Sequence, residues 1–147
     1  MSFVKIYVHY VWSTKNRIKF LKTPEIRKLV WDHIKDNALQ KNIYVDHISG
    51  YSDHCHCLIS LGKDQTVQKI IQLIKGESAY WINRHKVLKD FNFNQKFQWQ
   101  DEYFAISVSQ SKLHHVRAYI RNQENHHKIK SYQEECLEIK KKFGFED

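Results

Sequence analysis

The stretch His54-Cys55-His56-Cys57-Leu58-Ile59-Ser60-Leu61 reads as a β-strand that opens with two histidines separated by one small residue. Side chains alternate across a strand, so His54 and His56 share one face while Cys55 and Cys57 turn the opposite way, toward a core. Two imidazoles about 7 Å apart along a strand face can take one divalent metal between them. With ten histidines in the chain, such a pair arises by chance about as often as not, and two solvated imidazoles on a half-exposed strand account for it at least as well. A second constellation gives the pair its weight: Tyr119-Ile120-Arg121-Asn122-Gln123, on a later predicted helix.

Upstream of the histidines, Ile43 to Gly50 reads as a strand and Ser52-Asp53 as the turn joining the two into an antiparallel hairpin. Phe3 to Trp12, β-branched and aromatic throughout, is a first strand. Thr23 caps a helix with Pro24 at its first position, and Ile26, Leu29, Val30 and Ile34 supply its apolar stripe up to about Lys41. Downstream, Thr66 caps a helix built on Val67, Ile70, Ile71 and Ile74, with Gly76 expected to weaken or bend it before Tyr80 to Lys86. A looser aromatic and amide-rich stretch from Phe91 to Trp99 leads to a last strand, Tyr103 to Val108. Ser111 then opens a helix through about His127, and Ser131 with Glu134 forms a capping box for a final helix ending near Phe143. The predicted fold is α+β and ferredoxin-like, the RNA-recognition-like arrangement. An antiparallel sheet carries helices on one face and leaves the other free for a ligand, followed by a tyrosine-bearing helix and a final helix.

Composition bounds the function. One proline and four glycines in 147 residues leave little room for linkers, so residues 1–147 read as a single domain with a real core. Lysine and arginine number 24 against 16 acidic residues, a formal charge of +8 that favours a polyanionic partner. No uncharged apolar run approaches the roughly 20 residues needed to span a bilayer, and Lys5 interrupts the only early apolar run, unlike a signal peptide. Three cysteines without framework spacing argue for a reducing compartment, the cytoplasm, rather than a disulfide scaffold.

Spaced at about 100° per residue, Tyr119 and Gln123 fall one turn apart at the edge of the stripe formed by Leu113, Val116 and Ile120. From there both can reach a site beside the sheet, although a boundary tyrosine ordinarily packs its ring and leaves its hydroxyl wet.

Together these residues resemble the HUH-superfamily single-tyrosine transposases, the TnpA-like enzymes of small insertion sequences and their REP-associated relatives. The resemblance runs through Val8-His9-Tyr10-Val11-Trp12-Ser13-Thr14-Lys15-Asn16-Arg17, Asp53 to Ser60, Leu73-Ile74-Lys75-Gly76-Glu77-Ser78, Trp99 to Phe104 and Tyr119 to His127. Cys55 stands where that family usually carries a larger aliphatic residue. The resemblance implies cleavage and rejoining of single-stranded DNA at hairpin-bearing ends through a covalent 5′-phosphotyrosine, with Tyr119 as nucleophile. It implies a divalent metal, Mg²⁺ or Mn²⁺, held by His54, His56 and Gln123. Lys15, Arg17, Lys19, Lys75 and Arg121 would grip the DNA backbone. It also implies a homodimer joined through sheet edges, with Tyr119 of one chain serving His54 and His56 of the other.

Other residues keep two readings. Phe97 and Trp99 stack unpaired bases or pack in a core or dimer interface. The basic run Lys15 to Lys22 grips DNA or is a solvated loop. His126 and His127 approach the metal or a phosphate or, as is commoner for a helix-end pair, form a solvated cap, and Lys140-Lys141-Lys142 reads as a solvated helix end. A non-catalytic module that binds structured nucleic acid through the same open sheet remains the alternative. Retention of His54, His56, Tyr119 and Gln123 as a complete set favours the enzyme.

Overall fold

A computed structural model of the protein describes residues 1–88 and 95–145. Phe91 to Asn94 of the aromatic stretch lie outside the described residues. Four strands form one antiparallel sheet: β1 (Ile6–Ser13), β2 (Tyr44–Tyr51), β3 (His54–Leu61) and β4 (Phe104–Val108). Their spatial order, β2-β3-β1-β4, is the ferredoxin-like arrangement that the element order predicts. The two long helices are α1 (Pro24–Gln40) and α2 (Val67–Arg84), and three shorter ones follow β4: α3 (Leu113–Arg121), α4 (Gln123–His126) and α5 (Tyr132–Phe143).

The expected caps form. Thr23 Oγ1 accepts from the Ile26 amide at 3.2 Å, Thr66 Oγ1 from Lys69 at 3.1 Å and Ser131 Oγ from Glu134 at 3.2 Å. Each satisfies an amide that the first helical turn leaves without a partner. Gly76 does not interrupt α2, which runs through it to Arg84. A Cβ built at Gly76 meets nothing within 4 Å, so Gly76→Ala is expected to raise stability by about 0.5–1 kcal/mol in chemical denaturation, the backbone entropy a helical glycine gives up. Gly50, paired with Cys55, has the opposite character: a Cβ there would fall 2.2 Å from the His54 carbonyl oxygen. Only glycine lets β2 approach the start of the histidine strand this closely.

Alternation along β1 and β3 divides the side chains as anticipated. Tyr10, Trp12, Cys55, Cys57 and Ile59 enter the main core with α1 and α2. The expectation of an open second face is overturned. Tyr7 and Leu58 pack there on Leu113 and Ile120, while Val11 and Ile106 pack on Tyr132 and Ile139, so α3 to α5 cover the sheet. The physical reason stands in β1, which is buried from Tyr7 to Ser13 on both faces. A strand without apolar-polar alternation is one covered on both sides.

The single long helix expected from Ser111 to His127 is instead a short 3₁₀ turn, Gln110–Lys112, then α3 and α4, with Asn122 (φ −92°, ψ 11°) leaving helical geometry between them. Two bidentate arginine pairs fasten this segment to the rest of the chain. Arg117 grips Asp46 with two bonds of 2.8 Å, and Arg27 grips Glu124 at 2.6 and 2.8 Å. Phe97 and Trp99 are core residues rather than a stacking surface; both are buried, and the Trp99 indole donates to Ser78 Oγ at 2.9 Å. Among the described residues, no helix is long and apolar enough to cross a membrane.

Candidate functional site

The second face of the sheet brings together side chains from β1, β3 and all three C-terminal helices. Strand alternation aims His54 and His56 at this face, and both are wholly buried, as is Gln123 of α4. Glu135 of α5 enters from above and is 1% exposed. Its Oε1 lies 2.9 Å from His56 Nε2, 3.4 Å from His54 Nε2 and 3.4 Å from His127 Nε2. One donor atom from each of His54, His56, His127 and Glu135 lies within 4.8 Å of all the others, a spacing that suits one metal ion. Gln123 Oε1 stands 3.2 Å from His54 Nε2 and joins the same group.

Tyr119 reaches the centre from α3. Its hydroxyl donates to Glu135 Oε2, and its ring meets the His56 ring edge-on with centroids 5.5 Å apart. Thus Glu135 turns one oxygen to the histidines and the other to the tyrosine. Tyr132, one α5 turn before Glu135, stacks on the His54 ring at 4.3 Å.

Behind the histidines lies a ring of hydrogen-bond partners. His54 Nδ1 donates to Asp53 Oδ1 at 2.8 Å, His127 Nδ1 to the Lys130 carbonyl at 2.6 Å, and His56 Nδ1 is 2.9 Å from His9 Nε2. Burial lowers the His9 imidazole to about 3, with His56 beside it adding to the effect. Burial likewise lowers His56 to about 4 against the opposing pull of Glu135. Both rings are therefore neutral at physiological pH, the form that binds metals. Burial and then the adjacent Glu135 charge raise the Tyr119 hydroxyl well above its ordinary value, so the resting tyrosine is a phenol. Burial alone would raise the Glu135 carboxyl, but its contacts with His127 and His56 outweigh that and hold it below the usual carboxylate range.

The sequence-based set of His54, His56, Tyr119 and Gln123 converges in space. His127 corrects the expectation of a solvated histidine pair: its side chain is 1% exposed and faces the cluster, and His126 Nε2 lies 3.3 Å from Glu135 Oε2. Glu135 and His9 were not singled out by sequence. The capping box marks Glu134, while Glu135 is the inward-facing residue of the same turn.

The expected DNA-gripping cations are dispersed. Lys15, Arg17 and Lys19 are exposed on the segment after β1. Arg17 enters a cleft with Asn16, Gln100, Tyr103 and Lys140. Lys75 is half-buried and donates to the carbonyls of Gln100 and Asp101, holding the approach to β4. Exposed Arg121, at the end of α3, places its guanidinium 3.0 Å from His47 Nε2.

Residues 2–123 match the family described as "Transposase IS200 like". The chain is 26% identical over 116 residues to the ISDra2 transposase TnpA of Deinococcus radiodurans, an alignment covering 78% of this chain and 81% of that protein. Its fold is similar to the crystal structure of a candidate transposase from Deinococcus radiodurans R1, with a TM-score of 0.61 and 22% identity over 83% of this chain and 93% of the other. It is also similar to a REP-associated tyrosine transposase bound to a REP hairpin, with a TM-score of 0.59 and 15% identity over 86% and 72% of the two chains.

Proposed function

The chain belongs to the family of IS200-like transposases, of the HUH-superfamily single-tyrosine type, and from that premise we propose that it cleaves and rejoins single-stranded DNA with Tyr119 as its nucleophile. The observation that carries this reading is the placement of the Tyr119 hydroxyl against the same carboxylate that His54 and His56 face. In the proposed step the Tyr119 oxygen bonds to phosphorus and the bond from phosphorus to the 3′ oxygen breaks. The proton lost by the phenol is matched by the one gained by the new 3′-hydroxyl. The phosphodiester is conserved as a 5′-phosphotyrosine, so a second 3′-hydroxyl can reverse the step on another end without a nucleotide cofactor.

His54, His56 and Gln123 would hold the divalent metal, and the inward-facing His127 Nε2, buried without a hydrogen-bond partner among the described residues, fits such a group. A bound Mn²⁺ or Mg²⁺ would polarise the phosphoryl oxygen. The chain's own residues do the rest: the β3 histidines and α3 set the tyrosine beside the phosphate position, and the helices exclude water.

One relative is bound to a REP hairpin, and by likeness this chain would recognise hairpin-bearing single-stranded DNA, with residues 1–147 acting as one transposase domain. Lys15, Arg17, Lys19, Lys75 and Arg121 supply cations for that contact. Affinity is expected to fall steeply with salt, by about 0.7 in log K per log salt for each phosphate neutralised on a single strand, and to favour a hairpin with unpaired flanks over random duplex. Equal affinity for both would oppose hairpin recognition. Two chains would pair through β4, an edge strand whose Phe104–Val108 sequence carries no charge or proline to block pairing.

The test of the chemistry is incubation with single-stranded oligonucleotides carrying hairpin ends and Mn²⁺, then denaturing electrophoresis. A covalent protein-DNA band is expected. Hairpin binding without any such band would favour a non-catalytic binding module.

A further inference from the structure

The cleft that Arg17 enters has a volume of about 610 Å³, within the range of small-ligand sites, and the proposed reaction leaves it unused. The segment after β1, the start of β4 and one side of α5 line it. Tyr103, Phe104 and Tyr132 give it aromatic walls, and Gln100 and Glu102 add an amide and a carboxylate. Burial raises the thiol of Cys136, an α5 residue of the cleft, and the charges of Arg17 and Lys140 are among the influences opposing it, so both cations stand close to it. Tyr132 also stacks on His54 at 4.3 Å, which makes it a wall common to the cleft and the catalytic centre.

The backbone on the β1 side is held in an uncommon shape. Asn16 and Arg17 are successive non-glycine residues in the left-handed region, at φ 57° and 55°. Such a conformation persists only where the surroundings impose it, and it gathers at ligand sites. Here the Lys15 amide donates to the Gln98 carbonyl and the Gln100 amide to the Ser13 carbonyl, each at 2.9 Å. The Asn16 amide donates to Gln100 Oε1 at 3.2 Å, which occupies that oxygen and leaves the Gln100 NH₂ as the group that donates into the cleft.

We propose that this cleft binds one unpaired nucleotide of the single-stranded DNA, its base among Tyr103, Phe104 and Tyr132 and its phosphate between Arg17 and Lys140. This rests on the proposed function and deepens it by naming a subsite beside the catalytic centre, whose α5 wall lies beyond residues 2–123, the part of the chain that matches the family. Aromatic side chains stack on any base, and two cations suit a phosphate. The Gln100 NH₂ and the Glu102 carboxylate offer a donor and an acceptor to the edge of the base. A duplex has no base free to enter.

The test uses the full chain with a chelator present, so that binding is read without cleavage. Hairpin oligonucleotides are compared with and without single-stranded flanks, the flanks carrying 5-iododeoxyuridine or an abasic residue at successive positions. One flank position is expected to photocross-link to Tyr103, Phe104 or Tyr132, identified by peptide mass, and removal of the base at that position to weaken binding by about tenfold or more. Gln100→Glu keeps an acceptor for the Asn16 amide but sets a second carboxylate beside Glu102 in place of the NH₂. It is expected to lower the preference for the flanked over the unflanked hairpin by about tenfold. Circular dichroism checks that the variant folds; if it does not, the cross-link map and the abasic scan on the unaltered chain decide. No cross-link to the cleft, an abasic scan without a sensitive position, or an unchanged preference in folded Gln100→Glu would overturn the proposal. Displacement of the flanked hairpin by an equal concentration of a deoxynucleoside monophosphate would also overturn it, by making the cleft a site for free nucleotides. A chain that binds the flank in the cleft yet never forms a covalent adduct with Mn²⁺ would contradict the proposed reaction and leave this subsite standing. An adduct formed by a chain whose cross-links miss the cleft would do the reverse.

Discussion

Tyr119→Phe is expected to eliminate covalent capture of single-stranded DNA while hairpin binding changes little. The substitution removes one oxygen, and the ring keeps its edge contacts with His56 and His9, at 5.5 and 6.4 Å between centroids. Loss of a catalytic nucleophile lowers turnover by about 10⁶-fold, which places the variant below detection in a gel assay. Its cost to the fold is the hydrogen bond to Glu135, about 1–3 kcal/mol for a buried charged acceptor left without its donor. Denaturing electrophoresis after incubation with Mn²⁺ and a hairpin oligonucleotide measures the first effect, and retardation on a native gel the second. An adduct that persists in Tyr119→Phe would remove Tyr119 from the reaction.

His54→Ala and His56→Ala are each expected to lower metal affinity by about 100-fold or more and to abolish cleavage with it. Both side chains point away from the main core, so the α1-α2 side of the sheet stays packed. Full cleavage by both variants at saturating metal would remove the pair from the reaction. These variants also decide whose tyrosine serves which histidines. The family resemblance implies exchange between subunits, yet here one chain brings Tyr119 to its own His56, and Arg117–Asp46 and Arg27–Glu124 fasten the intervening segment in place. A mixture of inactive Tyr119→Phe and inactive His56→Ala is therefore expected to stay inactive, because every site keeps one lesion. Recovered activity after subunit exchange would show that the tyrosine helix crosses to the partner.

Local chemistry was legible where a residue's role depends on near neighbours. The caps at Thr23, Thr66 and Ser131 follow from a hydroxyl positioned three residues before an unpaired amide. The opposed faces of His54-Cys55-His56-Cys57 follow from the two-residue period of a strand. Gly76 misled because its place inside α2 costs only backbone entropy, which the buried stripe of Ile70, Ile71 and Ile74 outweighs. His127 misled for a different reason. A histidine at a helix end looks solvated until a later helix folds over it, and α5 does so from a position eight residues further along the chain.

The sequence by itself determined the order of the strands and of the two long helices, the sheet they build, and the face that His54 and His56 share, since periodicity and capping are properties of adjacent residues. Only the tertiary structure decided that this side is closed and that Glu135 stands at its centre. Which carboxylate of a helix finds three imidazoles depends on where that helix docks, and docking is set by apolar contacts such as Tyr132 and Ile139 on Val11 and Ile106, made between residues far apart in the chain.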